Sequence, residues 1–323
     1  MPSGKGTGGE ETFDPASFDQ AWSVTGKTND DEDRATIANI TGNGNNLALS
    51  NFGFAENSGY GLYQQNYNSY NITNRAIFTT TSSAIHVTES KKAGVNFIET
   101  GRGIDINSYK VRVIGIQSGQ DMKYRGSSNS YVVQIPSDGI YTLPDVSFGE
   151  NLGFQFVSYV GPCDITIEQI PDYEGYLVTD GVDDSVRALN INLGEKFTLI
   201  GEWRLLSNTP IINAGVSLHP QLHIFNRPSD GINVNFRSVS TTLYVKTLKA
   251  ICSNGRCYDD DWNDLNINVG DTISSNINTL FLGYNGANFT KIAFKNLAVY
   301  DGKVLTKDQC INAYNYLQTL KEK

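Results

Sequence analysis

The densest run of potential ligands is Asp259-Asp-Asp-Trp-Asn-Asp264. Asp259, Asp261 and Asn263 alternate as the first oxygen ligands of an EF-hand loop do, but Asp264 stands where that loop needs glycine and Gly270 where it needs a bidentate glutamate. An EF-hand is therefore excluded, leaving a looser calcium site on Asp259 and Asp261 or a solvated acidic loop. Tyr258, Trp262 and Tyr284 fall in or beside expected loops. There an aromatic face can stack on the apolar side of a sugar ring while Asp259 and Asn263 supply directional hydrogen bonds. The competing reading is that these aromatics fill a core or a subunit contact. A second acidic group, Asp180-Gly-Val-Asp-Asp184, offers Asp183 and Asp184 to calcium, or their carboxylates to the N–H groups of a turn.

Other chemistries are poorly supplied. His219 and His223 have the spacing of helical zinc ligands, yet Pro220 lies between them in a β pattern. His86 stands alone in a strand, and no Gly-x-Ser-x-Gly elbow is present. Retaining glycosidases need two carboxyls about 5 Å apart. Glu195 and Glu202, seven apart, would point to opposite faces of one strand. Cys252 and Cys257 flank an Asn-Gly turn that would make a hairpin, in which the pair is either bridged or unlinked.

The elements that must position these residues are strands. Tyr109–Ile116, Tyr131–Ile135, Gly139–Pro144, Phe154–Val160 and Asp164–Ile170 alternate or run apolar, at roughly ten-residue spacing with turn residues between, as in an antiparallel sandwich. Pro171 breaks the series, and strands resume at Phe197–Leu206, Gln221–Phe225, Ile232–Phe236, Thr242–Val245, Thr279–Gly283 and Lys291–Tyr300. Thr306 caps an expected helix from Lys307 to Leu320, with Cys310, Ile311, Tyr314 and Leu317 on one face. The fold class is thus all-β, two antiparallel sandwiches with a short C-terminal helix. Residues 1–12 read as a flexible arm and 13–83 as an Asn/Tyr-rich wrapping or attachment segment, with Phe13, Phe18 and Trp22 as isolated docking aromatics. Residues 84–171 read as the smaller sandwich and 172–323 as the larger.

Composition agrees. The chain has 33 Asn and 31 Gly, which favour turns, beside 17 Tyr and 15 Phe, which suit pleated surfaces. A formal net charge of −9 provides no basic stripe, so nucleic-acid binding is not expected. No apolar run is long enough for a membrane helix, and Met1–Glu10 lacks the apolar core of a secretory signal.

Residues 175–206, with Asp180, Gly181, Asp183, Asp184, Val186 and Trp203, resemble the opening of a laminin-G-like, concanavalin A-like jelly roll. Leu280–Gly283 followed by Phe294–Thr306 resembles its closing strand and short helix. The resemblance implies a jelly roll over the second region, with Trp203 in its core. It leaves function open, because such folds serve lectins, glycoside hydrolases and adhesion modules alike. Ser23–Asn29, Ala35–Tyr63, Ile135–Pro144 and the Asp172–Asp184 stretch resemble virion surface proteins of tailed phages that infect Bacteroides, the crAss-like phages among them. That resemblance implies a non-enzymatic head- or tail-fibre component made in the bacterial host cytoplasm and displayed on the virion surface. Its implied partners are copies of itself, a trimer above all, other virion proteins through the N-terminal segment, and host surface glycans through the jelly roll. It implies no cofactor beyond the calcium considered above. A structural decoration or connector protein and a concanavalin-like glycoside hydrolase are the alternative readings.

Overall fold

The computed structural model describes residues 13–42, 44–100, 107–126, 132–145, 152–158, 160–206, 214–219, 222–227, 231–245, 247–270, 277–283 and 289–320. The fold is all-β, and among these residues the one α-helix is Lys307–Leu317. No helix among them is long and apolar enough to cross a membrane.

The chain divides into two compact units, and the division differs from the one read from sequence. One unit gathers residues 1–26, 35–50 and 181–323, and the other gathers 27–34 and 51–180. The stretch 13–83 is therefore not a region of its own. It contributes strands to both units, and the break at Pro171 is brief, since a strand resumes at Asp172–Val178.

The unit of residues 27–34 and 51–180 contains two five-stranded antiparallel sheets. One orders Val133–Ile135, Met122–Gly126, Leu152–Phe156, Ile98–Glu99 and Asn71–Ile72. The other orders Gly139–Leu143, Tyr109–Ile114, Gly161–Ile170, Ala84–Ser90 and Ala76–Thr80. Because side chains alternate along a strand, Ile85, Val87, Val111, Val113, Ile165 and Ile167 pack in one core with Met122, Tyr124, Phe154 and Phe156 of the facing sheet. Gly59–Leu62 and Asp172–Val178 form a further antiparallel pair of this unit.

In the other unit an eight-stranded antiparallel sheet orders Thr36–Ile37, Leu47–Ser50, Ser185–Leu193, Ile277–Leu282, Ala214–His219, Leu222–Arg227, Gly231–Phe236 and Val239–Leu243. A second sheet orders Asp264–Asn266, Arg256–Tyr258, Ala250–Cys252, Phe197–Leu205 and Ile292–Asp301, and Gln20–Ser23 also pairs with Ile292–Asp301. Phe197 of this sheet meets Phe236 of the eight-stranded one at 5.8 Å between ring centres. Trp203 is buried in the core, as the jelly-roll resemblance implies.

Trp22 is no docking point. It is fully buried opposite Leu297, and its indole donates to the Asn45 carbonyl at 2.9 Å. Phe13 and Phe18 lean on Tyr300, whose hydroxyl donates to the Pro15 carbonyl at 2.6 Å. The helix covers the outer face of the second sheet. Cys310, Ala313 and Leu317 pack there against Ile200, Ala250, Cys252 and Ala298.

Thr306 starts the helix through a reciprocal cap: its hydroxyl accepts from the Gln309 N–H at 3.3 Å, and the Gln309 side chain accepts from the Thr306 N–H at 2.9 Å. Thr306→Ala is expected to cost about 1 kcal/mol, seen as a lower melting temperature that Thr306→Ser largely restores. Equal melting of all three proteins would show that the cap adds nothing.

Candidate functional site

The hairpin of Ala250–Cys252 and Arg256–Tyr258 turns at Asn254-Gly255, as expected. Its register sets Ile251 opposite Cys257 and Ala250 opposite Tyr258. Successive residues point to opposite faces, so Cys252 lies on the helix side and Cys257 on the other. Both are free thiols, and the bridge that the sequence left open is not formed. Burial pushes the Cys257 thiol up to about 12, so it is un-ionised at neutral pH.

The acidic loop follows this hairpin. Asp259 accepts hydrogen bonds from the N–H of Asp261 at 3.0 Å, the N–H of Asn263 at 2.8 Å and the Asn263 side-chain amide at 2.9 Å. The carboxylate expected to bind metal or sugar thus folds its own loop, an Asx-type role, and Asn263 is engaged with it. Asp264 pairs with Arg256, whose hydrogen bond holds the carboxyl below the usual carboxylate range.

Tyr258 is fully buried under the helix and presents no face to a ligand, which corrects its reading as a sugar-stacking residue. Trp262 is half-buried, with its ring 6.1 Å from Tyr258 and edge-on to Tyr314 at 5.5 Å. The Lys249 ammonium lies 5.4 Å from the Trp262 ring centre and 5.1 Å from that of Tyr314. Tyr284 lies outside the described residues.

Beside this aromatic group is a cleft of about 290 Å³ lined by Gly201, Glu202, Arg204, Lys249, Asp260 and Tyr314, among others. Three local features build it. The strand Phe197–Leu205 shifts register between Glu202 and Trp203. Gly201 carries no Cβ because one would come within 2.6 Å of the Trp203 ring. The Gly201 N–H donates to the Lys249 carbonyl at 2.9 Å, and Lys249 donates from its side chain to the Asp260 carbonyl. Two carboxylates and two cations offset one another in formal charge beside a tyrosine ring. Such a lining offers donors and acceptors without a net field, which suits a neutral polyhydroxylated ligand.

Arg204 and Lys249 are not among the residues singled out from sequence, which considered Glu202 only as half of a glycosidase pair with Glu195 and Tyr314 only as part of the helix's apolar face. The signal was present in Glu-Trp-Arg, two charges flanking a tryptophan in an otherwise apolar strand. A larger cleft of about 490 Å³ lies near Phe13, Asp14, Ser17, Lys303 and Gln309, but Lys303 donates to Ser17 and Gln309 caps the helix.

In the turn 180–184 the carboxylates of Asp180, Asp183 and Asp184 lie within 4.8 Å of one another, with Asp184 buried and Asp183 exposed. These three are the residues that could share a hard cation such as calcium through carboxylate oxygens. Among the described residues neither Asp259 nor Asp261 belongs to a cluster of three such groups. His86, expected to stand alone, lies 2.7 Å from Asp164. The strands holding His219 and His223 set Ser217 opposite His223, a sheet pairing in place of a helical ligand pair.

No protein-family model matches the chain, and no curated protein is significantly similar to it. Among solved structures, the Trypanosoma rangeli sialidase in complex with sialic acid aligns over 88% of this chain and 68% of its own, at 9% identity and a TM-score of 0.34. A likeness this slight transfers neither activity nor ligand.

Proposed function

We propose that this protein is a non-enzymatic surface component of a tailed-phage virion, a head- or tail-fibre protein whose jelly roll contacts host surface glycans. The observation that carries the glycan part is the charge-balanced cleft of Glu202, Arg204, Lys249 and Asp260 against Tyr314. A neutral sugar finds there both an aromatic flank and paired donors and acceptors. The phage assignment rests on the resemblance of the Asn-rich and Asp-Gly segments. Self-association as a trimer, attachment to other virion proteins through the N-terminal segment and display on the virion surface belong to the same proposal.

The test is binding of the full-length protein to a Bacteroides capsular glycan array, with and without a calcium chelator. Arg204→Ala, at an exposed position, and Tyr314→Ala are each expected to weaken binding at least about tenfold, roughly the 1.4 kcal/mol of one lost polar or stacking contact. Loss of binding on chelation would show that a divalent cation takes part, and would make Asp183, Asp259 and Asp261 the residues to mutate. A full-length protein that binds no glycan but assembles with virion proteins would replace the glycan reading with that of a structural decoration or connector.

A second reading has a specific observation behind it. Glu202 and Asp260 line the same cleft, and two carboxylates flanking a sugar are the machinery of glycoside hydrolysis. Release of reducing ends from a bound glycan, abolished by Glu202→Gln with binding retained, would favour this enzyme. Binding without release favours the adhesion module.

A further inference from the structure

A sheet ends in edge strands whose outward backbone groups invite pairing, and folded proteins guard such edges with bulges, prolines, charges or short length. The two five-stranded sheets of the unit 27–34 and 51–180 have four of them. Asn71–Ile72 is two residues long, Val133–Ile135 runs into Pro136, and Ala76–Thr80 is broken by a register shift between Ile77 and Phe78. The fourth, Gly139–Leu143, has none of these guards. Its sequence Gly-Ile-Tyr-Thr-Leu is uncharged and mostly of β-forming residues, and it pairs with residues 109–113 without a shift. Along such a strand every second residue turns its N–H and C=O away from the neighbour. Among the described residues no strand takes up that outer side. Ile140 is 60% exposed, and Thr142 on the same face is exposed as well. Tyr141 and Leu143 turn the other way, toward the core of the unit.

We propose that Gly139–Leu143 is a self-association edge, which pairs antiparallel with the same strand of a second copy of this chain and joins two five-stranded sheets into one of ten strands.

The strand is complementary to itself. A two-fold axis through Tyr141 sets Ile140 of each copy opposite Thr142 of the other, and Gly139 opposite Leu143, so each exposed isoleucine gains a β-branched neighbour. No like charges meet. On that face Arg112 stands beside Ile140 and Lys110 beside Thr142 in the adjacent strand. Across the join, Arg112 of one copy and Lys110 of the other are three strand spacings apart, about 14 Å, which exceeds the Debye length of about 8 Å at physiological salt. Arg112 is also paired with Glu168 at 3.2 Å. An uncharged edge has nothing to select a charged foreign strand, whereas its own copy meets it in matched length and neutral register. The contact has its own two-fold axis, so it is additional to the threefold association proposed above and independent of glycan binding. Chains in solution are therefore expected in even numbers.

The test is the light-scattering mass of the full-length protein over a concentration series, beside that of the double variant Ile140→Lys/Thr142→Lys. Both positions are exposed, so the variant should keep its β spectrum and cooperative melting while its mass falls by half. A second arm reads the register. In a Cys163→Ser background, co-expressing the Ile140→Cys and Thr142→Cys chains should give a disulfide-linked dimer on mild oxidation, because directly opposed Cα atoms lie about 4.5–5.5 Å apart. Either variant alone should link poorly, since its cysteines then sit two residues apart along the strands, beyond about 7 Å. A parent that is a single chain at every concentration, a mass that the lysines leave unchanged, or a mixture that links no better than its components would overturn the proposal.

Discussion

A chain shortened to begin at residue 172 will not fold: it is expected to aggregate on expression, and any soluble fraction will melt without a cooperative transition. Such a chain lacks three strands that the C-terminal unit takes from the N-terminal 50 residues. Gln20–Ser23 pairs with Ile292–Asp301, Leu47–Ser50 pairs with Ser185–Leu193, and Thr36–Ile37 pairs with Leu47–Ser50. Their removal opens edges on both sheets, which invites pairing with other chains. It also strips the core of Trp22, Val24, Ile37 and Leu47, all buried. At about 1.5–3 kcal/mol for each aliphatic side chain and about 3–5 for tryptophan, the loss matches the whole stability of an ordinary domain. Trp22→Ala alone is expected to cost about 3–5 kcal/mol in urea unfolding of the full chain. A 172–323 fragment that melts cooperatively with a native-like β spectrum would show that the N-terminal strands are dispensable.

Gly115→Val should be nearly as damaging to the other unit. Gly115 ends the Tyr109–Ile114 strand at φ +97°, a conformation that a β-branched residue resists. A Cβ there would stand 1.9 Å from the Asp164 carbonyl oxygen, where the neighbouring strand shifts register between Pro162 and Ile165. The obstacle is backbone, so no rotamer change relieves it. Strain and overpacking together are expected to cost about 3–5 kcal/mol, displacing that unit's urea transition to lower concentration. Parent-like unfolding of the variant would mean that the bulge yields more easily than its geometry indicates.

Local rules carried the reading of the fold as far as local interactions reach. The alternation in Tyr109–Ile114, Gly139–Leu143 and Gly161–Ile170 identified strands, because each buries one face. Thr306 and Gln309 marked the helix start through contacts three residues apart. The strand Gln20–Ser23 has all four residues buried and so no alternation, and its partner lies nearly 280 residues away. Nothing nearby announces it. The Asn-Gly turn gave the hairpin, but register decided which face each cysteine took. Tyr258 read as a loop aromatic because the helix that buries it comes some 50 residues later. The cleft escaped for the same reason: Glu202, Lys249, Asp260 and Tyr314 come from separate elements that only the folded sheet assembles.

The threading of the chain sets an order on its synthesis. Residues 51–180 emerge from the ribosome as a stretch that, with 27–34, holds all the strands of one unit, so that unit can fold while translation continues. The other unit waits. The strand Gln20–Ser23 lacks its partner strand until Ile292–Asp301 has been made, and closing so long a loop costs about 2 kcal/mol more than closing one a tenth its length. During that interval the N-terminal strands are unprotected. Slow translation or a lack of holding chaperones should therefore cut the yield of the C-terminal unit first, leaving a nascent chain half native and half adhesive.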